Sequence, residues 1–131
     1  MDIMEYSPYN INGFEGFDEI LAQDVLDHVT HIDAVRLIER FYIWMNTNGV
    51  LNIHLPNFEH CAKKAINGGH EAMCWIYGSD GNRAYYETNI IRWGYTPKTI
   101  RELLKKQGFI VISEEDTCNG YGFRTLATKR E

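Results

Sequence analysis

Hydrophobic and polar positions follow two different periodicities between residues 17 and 57, and together they predict a strand, a helix and a second strand. The apolar run Ile20-Leu21-Ala22 marks the first strand, residues 17–23, and a second apolar run marks residues 50–55. Between the two strands, apolar residues recur at the spacing of a buried helical stripe: Ala34, Leu37, Ile38, Phe41 and Met45. Thr30 is suited to cap this helix, and Asn48-Gly49 to stop it.

A strand, a helix and a strand in about this length are typical of a βαβ unit, in which the two strands are parallel neighbours. Their carboxyl ends then lie side by side, and open α/β sheets bind ligands at that edge. We therefore expect Gln23, Asp24, Pro56 and Asn57 to lie at a binding edge.

The rest of the chain predicts further elements of the same single α/β domain. Residues 1–16 carry turn signals, Asn57 is suited to cap a short helix, and residues 70–95 form an irregular, aromatic insertion with a short helix over 71–77. Thr96-Pro97 begins a helix with the apolar stripe Ile100, Leu103 and Leu104. Residues 109–114 and 123–128 predict two closely joined strands, which should pair antiparallel.

Charge and cysteine content narrow the class of protein. The net charge of −5, with acids and bases mixed along the chain, argues against sequence-independent nucleic-acid binding, which needs a basic face. No apolar run approaches the length that spans a bilayer and no signal peptide is visible, so no membrane partner is expected. Three cysteines without paired spacing indicate free thiols, mostly buried, in a cytoplasmic protein.

Three passages, in their order and spacing, resemble the second half of a class I S-adenosylmethionine-dependent methyltransferase: FDEILAQDVLDHV, NTNGVLNIHLPNFE and RWGYTPKTIRELLKKQGF. The resemblance implies a partial Rossmann-like sheet with the family's strands in the order fourth, fifth, seventh, sixth, the last antiparallel, and helices on its faces. The third passage is similar to a subfamily that often modifies sugars or lipid-linked intermediates. The family's glycine-rich loop has no counterpart in this sequence, which leaves a partial reading frame, a split enzyme and a degenerate paralogue as alternatives.

The resemblance also implies which residues form the site. The cofactor would be S-adenosylmethionine, with Asp2 near the adenine and Ala22, Gln23 and Asp24 lining the methionine side. The methyl acceptor would meet Asn57, Tyr77, Arg92, Trp93 and Tyr95. Equally open are a turn or capping role for Asp24 and simple packing of an irregular lobe for the aromatic residues.

No catalytic residue and no metal site are predicted. His28 and His31 lie three residues apart, but no further ligand stands at a recognised zinc spacing. His54 lies within an apolar strand and is expected as a hydrogen-bonded core histidine.

The first functional hypothesis is therefore a methyltransferase-related domain that is incomplete for catalysis alone. The alternative is a non-catalytic interaction module derived from a methyltransferase, and a weaker third hypothesis is a small-molecule binder that uses the aromatic lobe. In the family the first strand pairs with the strand found here at residues 17–23, so that edge is expected to need a partner. We expect a homodimer, or association with a missing N-terminal half.

Overall fold

The computed structural model describes residues 3–78 and 90–130. Its strands and helices follow one another as β1 (Phe17–Gln23), α1 (His31–Trp44), β2 (Met45–Pro56), α2 (Phe58–Ile66), α3 (His70–Tyr77), α4 (Pro97–Gln107), β3 (Ile110–Thr117) and β4 (Gly122–Thr128). Two short 3-10 turns, Pro8–Asn10 and Cys118–Gly120, complete the list.

The four strands form one open sheet in the order β1-β2-β4-β3. β1 runs parallel to β2, whereas β4 pairs antiparallel with both β2 and β3. The parallel βαβ unit, the antiparallel last pair and the strand order are thus confirmed, and with them the mixed α/β class. Gln23 pairs with His54, so the carboxyl ends of β1 and β2 do lie together.

The hydrophobic core lies between one face of this sheet and the helices α1 and α4. Alternate residues of the central strands point into it, as the period of two in a strand requires. The buried core side chains of the sheet and the two helices are Ala22, Leu51, Ile53, Leu55, Phe123, Ala127, Ala34, Leu37, Ile38, Phe41, Ile100 and Leu104. The residues between them on the strands face the other way and are largely exposed or half-buried, Leu21 and His54 among them.

Two threonine caps fix where the long helices begin. The hydroxyl of Thr30 accepts a hydrogen bond from the backbone N–H of Asp33, which satisfies one of the free donors in the first turn of α1. At α4, Thr96 and Thr99 form a reciprocal capping box, with Pro97 at the first helical position. Both starts agree with the sequence prediction.

The end of α1 differs from its prediction. The helix ends at Trp44 rather than at Asn48-Gly49, and Met45, expected on the helical stripe, is the first residue of β2. The Lys129 ammonium donates to the carbonyl oxygens of Tyr42 and Met45 and so neutralises the helix terminus from the far end of the chain. Asn48, predicted as part of the signal that stops the helix, lies instead within β2, where it adopts a left-handed φ of 66°.

The environments of His54 and of the three cysteines can also be compared with the sequence prediction. The prediction for His54 was wrong, because it lies half-buried on the open face of β2 and its ring makes no hydrogen bond to the described residues. The three cysteines are free thiols; Cys61 is buried, Cys74 is partly buried and Cys118 is exposed. Burial raises the pKa of the Cys61 thiol to about 11.

Within residues 3–78 and 90–130, no helix has the length and apolar character needed to cross a membrane.

We predict that the apolar stripe of α4 carries much of the stability of the domain. Replacing Leu104, which is fully buried, with alanine should cost about 2–5 kcal/mol, because it removes a core side chain and leaves a cavity. The neighbouring Leu103 is only half-buried, and Leu103→Ala should cost clearly less. Urea denaturation of both variants gives the comparison; equal losses would mean that the two leucines contribute equally to the core.

Candidate functional site at the carboxyl edge

The carboxyl edge of β1 and β2 is the feature from which the candidate site is built. The backbone N–H of Asp24 donates to the carbonyl of His54 at 3.1 Å, so the ladder extends to the last residues of both strands. Asp24 itself has a left-handed φ of 53°, a conformation that aspartate tolerates better than most residues. The chain therefore turns sharply at the edge and leads into the segment 25–30 before α1 begins.

A strap, residues 90–95, crosses this edge from β1 to β2. At one end, the backbone N–H groups of Arg92 and Trp93 both donate to the carbonyl of Asp27, at 2.7 and 3.4 Å. At the other end, Tyr95 forms a parallel bridge with Asn57 and accepts a hydrogen bond from the backbone N–H of Phe58 at 2.8 Å. The strap thus lies over the position where an open α/β sheet binds its ligands.

Asp27, which is buried, and His28, which is half-buried, lie side by side under the strap. His28 Nδ1 lies 2.9 Å from the carbonyl oxygen of Ile90, which only accepts, so Nδ1 carries the proton. His28 Nε2 faces the Asp27 carboxyl group at 3.6 Å. At this distance Nε2 and the carboxyl group are close enough for an electrostatic interaction but are not hydrogen-bonded to each other.

The Asp27 carboxyl group is held in an unusual environment. Its residue is 2% exposed, and neither carboxyl oxygen has a hydrogen-bond partner among the described residues. Burial raises the pKa of this carboxyl from 3.8 to about 6, against the opposing effects of His28 and of its own backbone amide. A buried, unpartnered carboxyl beside a histidine at a ligand-binding edge is the arrangement that active sites use to hold or move a proton.

A cavity of about 370 Å³ opens between the strap, the start of α1 and the exposed side of α4, and Asp27 and His28 are not among its lining residues. The ring of His31 stacks on Trp93 at 4.9 Å, and its Nδ1 lies 3.3 Å from the Tyr95 hydroxyl. Burial, and to a lesser extent the charge of Asp27, raise the pKa of Tyr95 to about 12, so the phenol keeps its proton. The other walls come from α4: Thr99, Glu102, Leu103 and Lys106.

The residues predicted for the acceptor come together in part. Trp93 and Tyr95 line the cavity, and Arg92 is anchored beside it, since its guanidinium donates to the His28 carbonyl at 3.1 Å. Tyr77 is exposed at the end of α3, where its carbonyl accepts from the Ile91 N–H at 3.1 Å. Asn57 is engaged as the cap of α2, with its side-chain oxygen accepting from the His60 N–H.

The residues predicted for the cofactor have different environments. Gln23 and Asp24 are exposed at the carboxyl edge, whereas the side chain of Ala22 is buried in the core. Asp2 lies outside the described residues. In the part of the chain that is described, no cluster of three or more histidine, cysteine or acidic side chains could hold a metal ion.

Two participants of the site went unrecognised in the sequence, Asp27 as a proton-holding group and His31 as an aromatic wall. From the sequence, His31 is a candidate only as a metal ligand, and Asp27 is only a part of the passage FDEILAQDVLDHV. The one available signal for Asp27 was its position directly after Leu26, a residue that is fully buried. Nothing local could reveal that the strap, more than 60 positions further along, covers both residues.

No protein-family model matches this sequence, and no curated protein matches it. Solved structures do match its fold. An S-adenosylmethionine-dependent methyltransferase from Clostridium acetobutylicum ATCC 824 superposes with a TM-score of 0.67 at 13% identity, over 100% of this chain and 63% of its own. N-methyltransferase NodS from Bradyrhizobium japonicum WM9, in complex with S-adenosyl-L-homocysteine, gives 0.60 at 12% identity, over 100% of this chain and 53% of its own.

A third match is human N-acetylserotonin methyltransferase in complex with SAM, with a TM-score of 0.61 at 16% identity, over 87% of this chain and 30% of that one. This chain thus spans between about a third and two thirds of the length of the three structures. It has the fold of part of an S-adenosylmethionine-dependent methyltransferase, and the recognition made from the sequence is confirmed at the level of the fold.

We predict that Asp27 makes the stability of the domain depend on pH. Because its folded pKa is raised, the carboxyl contributes its full stability below pH 3.8 and loses it as pH rises through about 6. Asp27→Asn imitates the protonated form at every pH. The variant should therefore gain about 1–3 kcal/mol of unfolding free energy over the wild type between about pH 4 and pH 8.

Urea denaturation of both proteins at the two pH values measures this difference. Asp116→Asn is the matched control, because it makes the same change at an exposed position on β3 and leaves the surroundings of Asp27 untouched. If the wild type instead became more stable relative to Asp27→Asn as pH rises, the buried carboxyl would be stabilised in its charged form.

Proposed function

We propose that this chain is the acceptor-side part of an S-adenosylmethionine-dependent methyltransferase that acts on a small molecule. The observation that carries the proposal is the covered carboxyl edge, where the strap forms one wall of an aromatic cavity and also bonds to the buried Asp27, in a chain with this fold. Methyl transfer relies mainly on placing the cofactor and the acceptor against each other, and this edge offers one rigid place to do so.

The residues present fit one side of the cofactor. S-adenosylmethionine supplies a methyl group on a sulfonium, which is already a good leaving group. Gln23 and Asp24 offer an exposed amide and a carboxylate at the edge, and these groups would hold the amino-acid portion. The described residues contain no glycine-rich turn between a strand and a following helix, the element that cradles the remainder of such cofactors through backbone amides. Tight binding therefore needs further polypeptide.

The acceptor would enter the cavity beside the strap. Trp93 is 51% exposed and presents a flat ring on which the apolar face of a sugar or another ring can pack. Glu102 and Lys106 lie at the α4 wall and supply hydrogen-bonding groups of both signs. A hydroxyl-bearing acceptor must release a proton when it is methylated. Among the cavity's own lining residues, His31 and Glu102 carry groups that can accept a proton. A sugar or lipid-linked acceptor fits this chemistry.

A second candidate function is a non-catalytic interaction module. The observation that favours it is the outer side of β1, which has no strand partner among the described residues. An unpaired strand edge is a template for association, whether or not the chain still supports chemistry.

The two functions differ in whether the chain alone keeps a weak, Asp24-dependent binding of the cofactor. We predict that the isolated chain does not bind S-adenosylmethionine with a micromolar or tighter dissociation constant, because only one side of the cofactor meets fitting residues. Isothermal titration calorimetry gives the measurement, with Asp24→Ala as the variant in which any residual heat should fall further. Micromolar binding that Asp24→Ala leaves intact would contradict the assignment of this edge.

A further inference from the structure

The two edge strands of the sheet differ sharply in how well they are protected. β3 carries the polar run Ser113, Glu114, Glu115 and Asp116, and its register shifts between Val111 and Ser113. Charges and irregularities of this kind blunt an edge against further pairing. β1 has neither in its centre, since Ile20-Leu21-Ala22 is uncharged and pairs with β2 in unbroken register from Glu19 to Gln23.

The hydrogen-bonding groups that β1 leaves free can be identified. In a parallel ladder, the N–H and C=O of one residue point to the same side, and successive residues alternate. Because the N–H of Asp24 donates to His54 on β2, the even-numbered residues of β1 face β2. The backbone groups of Glu19, Leu21 and Gln23 therefore point outward, away from the sheet.

An apolar groove of about 200 Å³ follows the same edge. It lies between β1, α1 and the N-terminal segment, which is held on α1 by the edge-to-face contact of the Tyr6 and Trp44 rings, whose centroids are 5.7 Å apart. Its walls include Tyr6, Ile20, Val25, Phe41 and Trp44, and Glu19 is its one charged lining residue. On the opposite face of the same strand, Leu21 is 56% exposed.

We propose that two copies of this chain pair antiparallel through their β1 strands, with Leu21 at the two-fold axis. In this register Glu19 lies opposite Gln23 of the other copy, and Leu21 lies opposite its own copy. These three are the outward-pointing residues, so each pair exchanges both of its backbone hydrogen bonds.

The side chains of β1 fit this arrangement on both faces. A carboxylate meets an amide rather than a second carboxylate, and the two exposed leucines cover each other. Ile20 and Ala22 face each other across the axis on the core side, next to the groove. Because a closed two-fold pairing satisfies both copies at once, a second copy is the occupant that this strand fits.

Light scattering at tens of micromolar tests the proposal with two matched lysine variants. Leu21→Lys places two like charges on the axis, whereas Ile112→Lys makes the same change at a residue that is 53% exposed on the other edge strand. We expect the wild type and Ile112→Lys to be dimers, and Leu21→Lys to be a monomer or at least tenfold weaker in association. Circular dichroism checks that both variants are folded.

Amide hydrogen exchange of the unmodified chain gives an independent test that needs no variant. Protection of the Glu19, Leu21 and Gln23 amides should fall on dilution, in step with dissociation, while protection of residues 110–117 stays constant. A wild type that is monomeric at these concentrations overturns the proposal and leaves the β1 edge to a different polypeptide. A dimer broken by Ile112→Lys but not by Leu21→Lys also overturns it.

Discussion

The parallel pairing of β1 with β2 is the constraint on which the rest of this structure depends. Parallel neighbours need a long crossover, and α1 supplies it while burying its apolar stripe against the sheet. The pairing also brings the carboxyl ends of both strands to one edge, with Gln23 opposite His54. The candidate functional site is built at that edge from the turn at Asp24, the Asp27–His28 pair and the strap above them.

The same carboxyl edge contains a residue that lowers the stability of the folded chain. Asp27 is buried and its carboxyl group has no hydrogen-bond partner in the part of the chain that the structure describes, and a well-packed apolar or amide side chain would satisfy this position better near neutral pH. Sites that hold or move protons are expected to conflict with stability in this way. The hydrophobic core, in contrast, stabilises the fold, because Leu51, Ile53 and Leu55 of β2 are nearly or completely buried by α1 and α4.

Much of the fold was accessible from the sequence because its signals are local. The caps at Thr30 and Thr96, the apolar stripes and the strand order all followed from short patterns or from the resemblance. The end of α1 did not follow from a local pattern, because the ammonium of Lys129, in a distant part of the chain, donates to a carbonyl group of its last turn. The candidate site was accessible only in part: Trp93 and Tyr95 were named, but the coupling of His28 to Ile90 spans 62 positions and has no local pattern.

The central claim is that ligands of this fold meet the chain at the carboxyl edge beneath the strap. Amide chemical-shift mapping with S-adenosyl-L-homocysteine at high concentration tests it directly, because the method detects weak binding and locates it. The account predicts shifts concentrated at Gln23, Asp24 and the strap, residues 90–95. Shifts concentrated on α2 and α3, or none at any concentration, would contradict it.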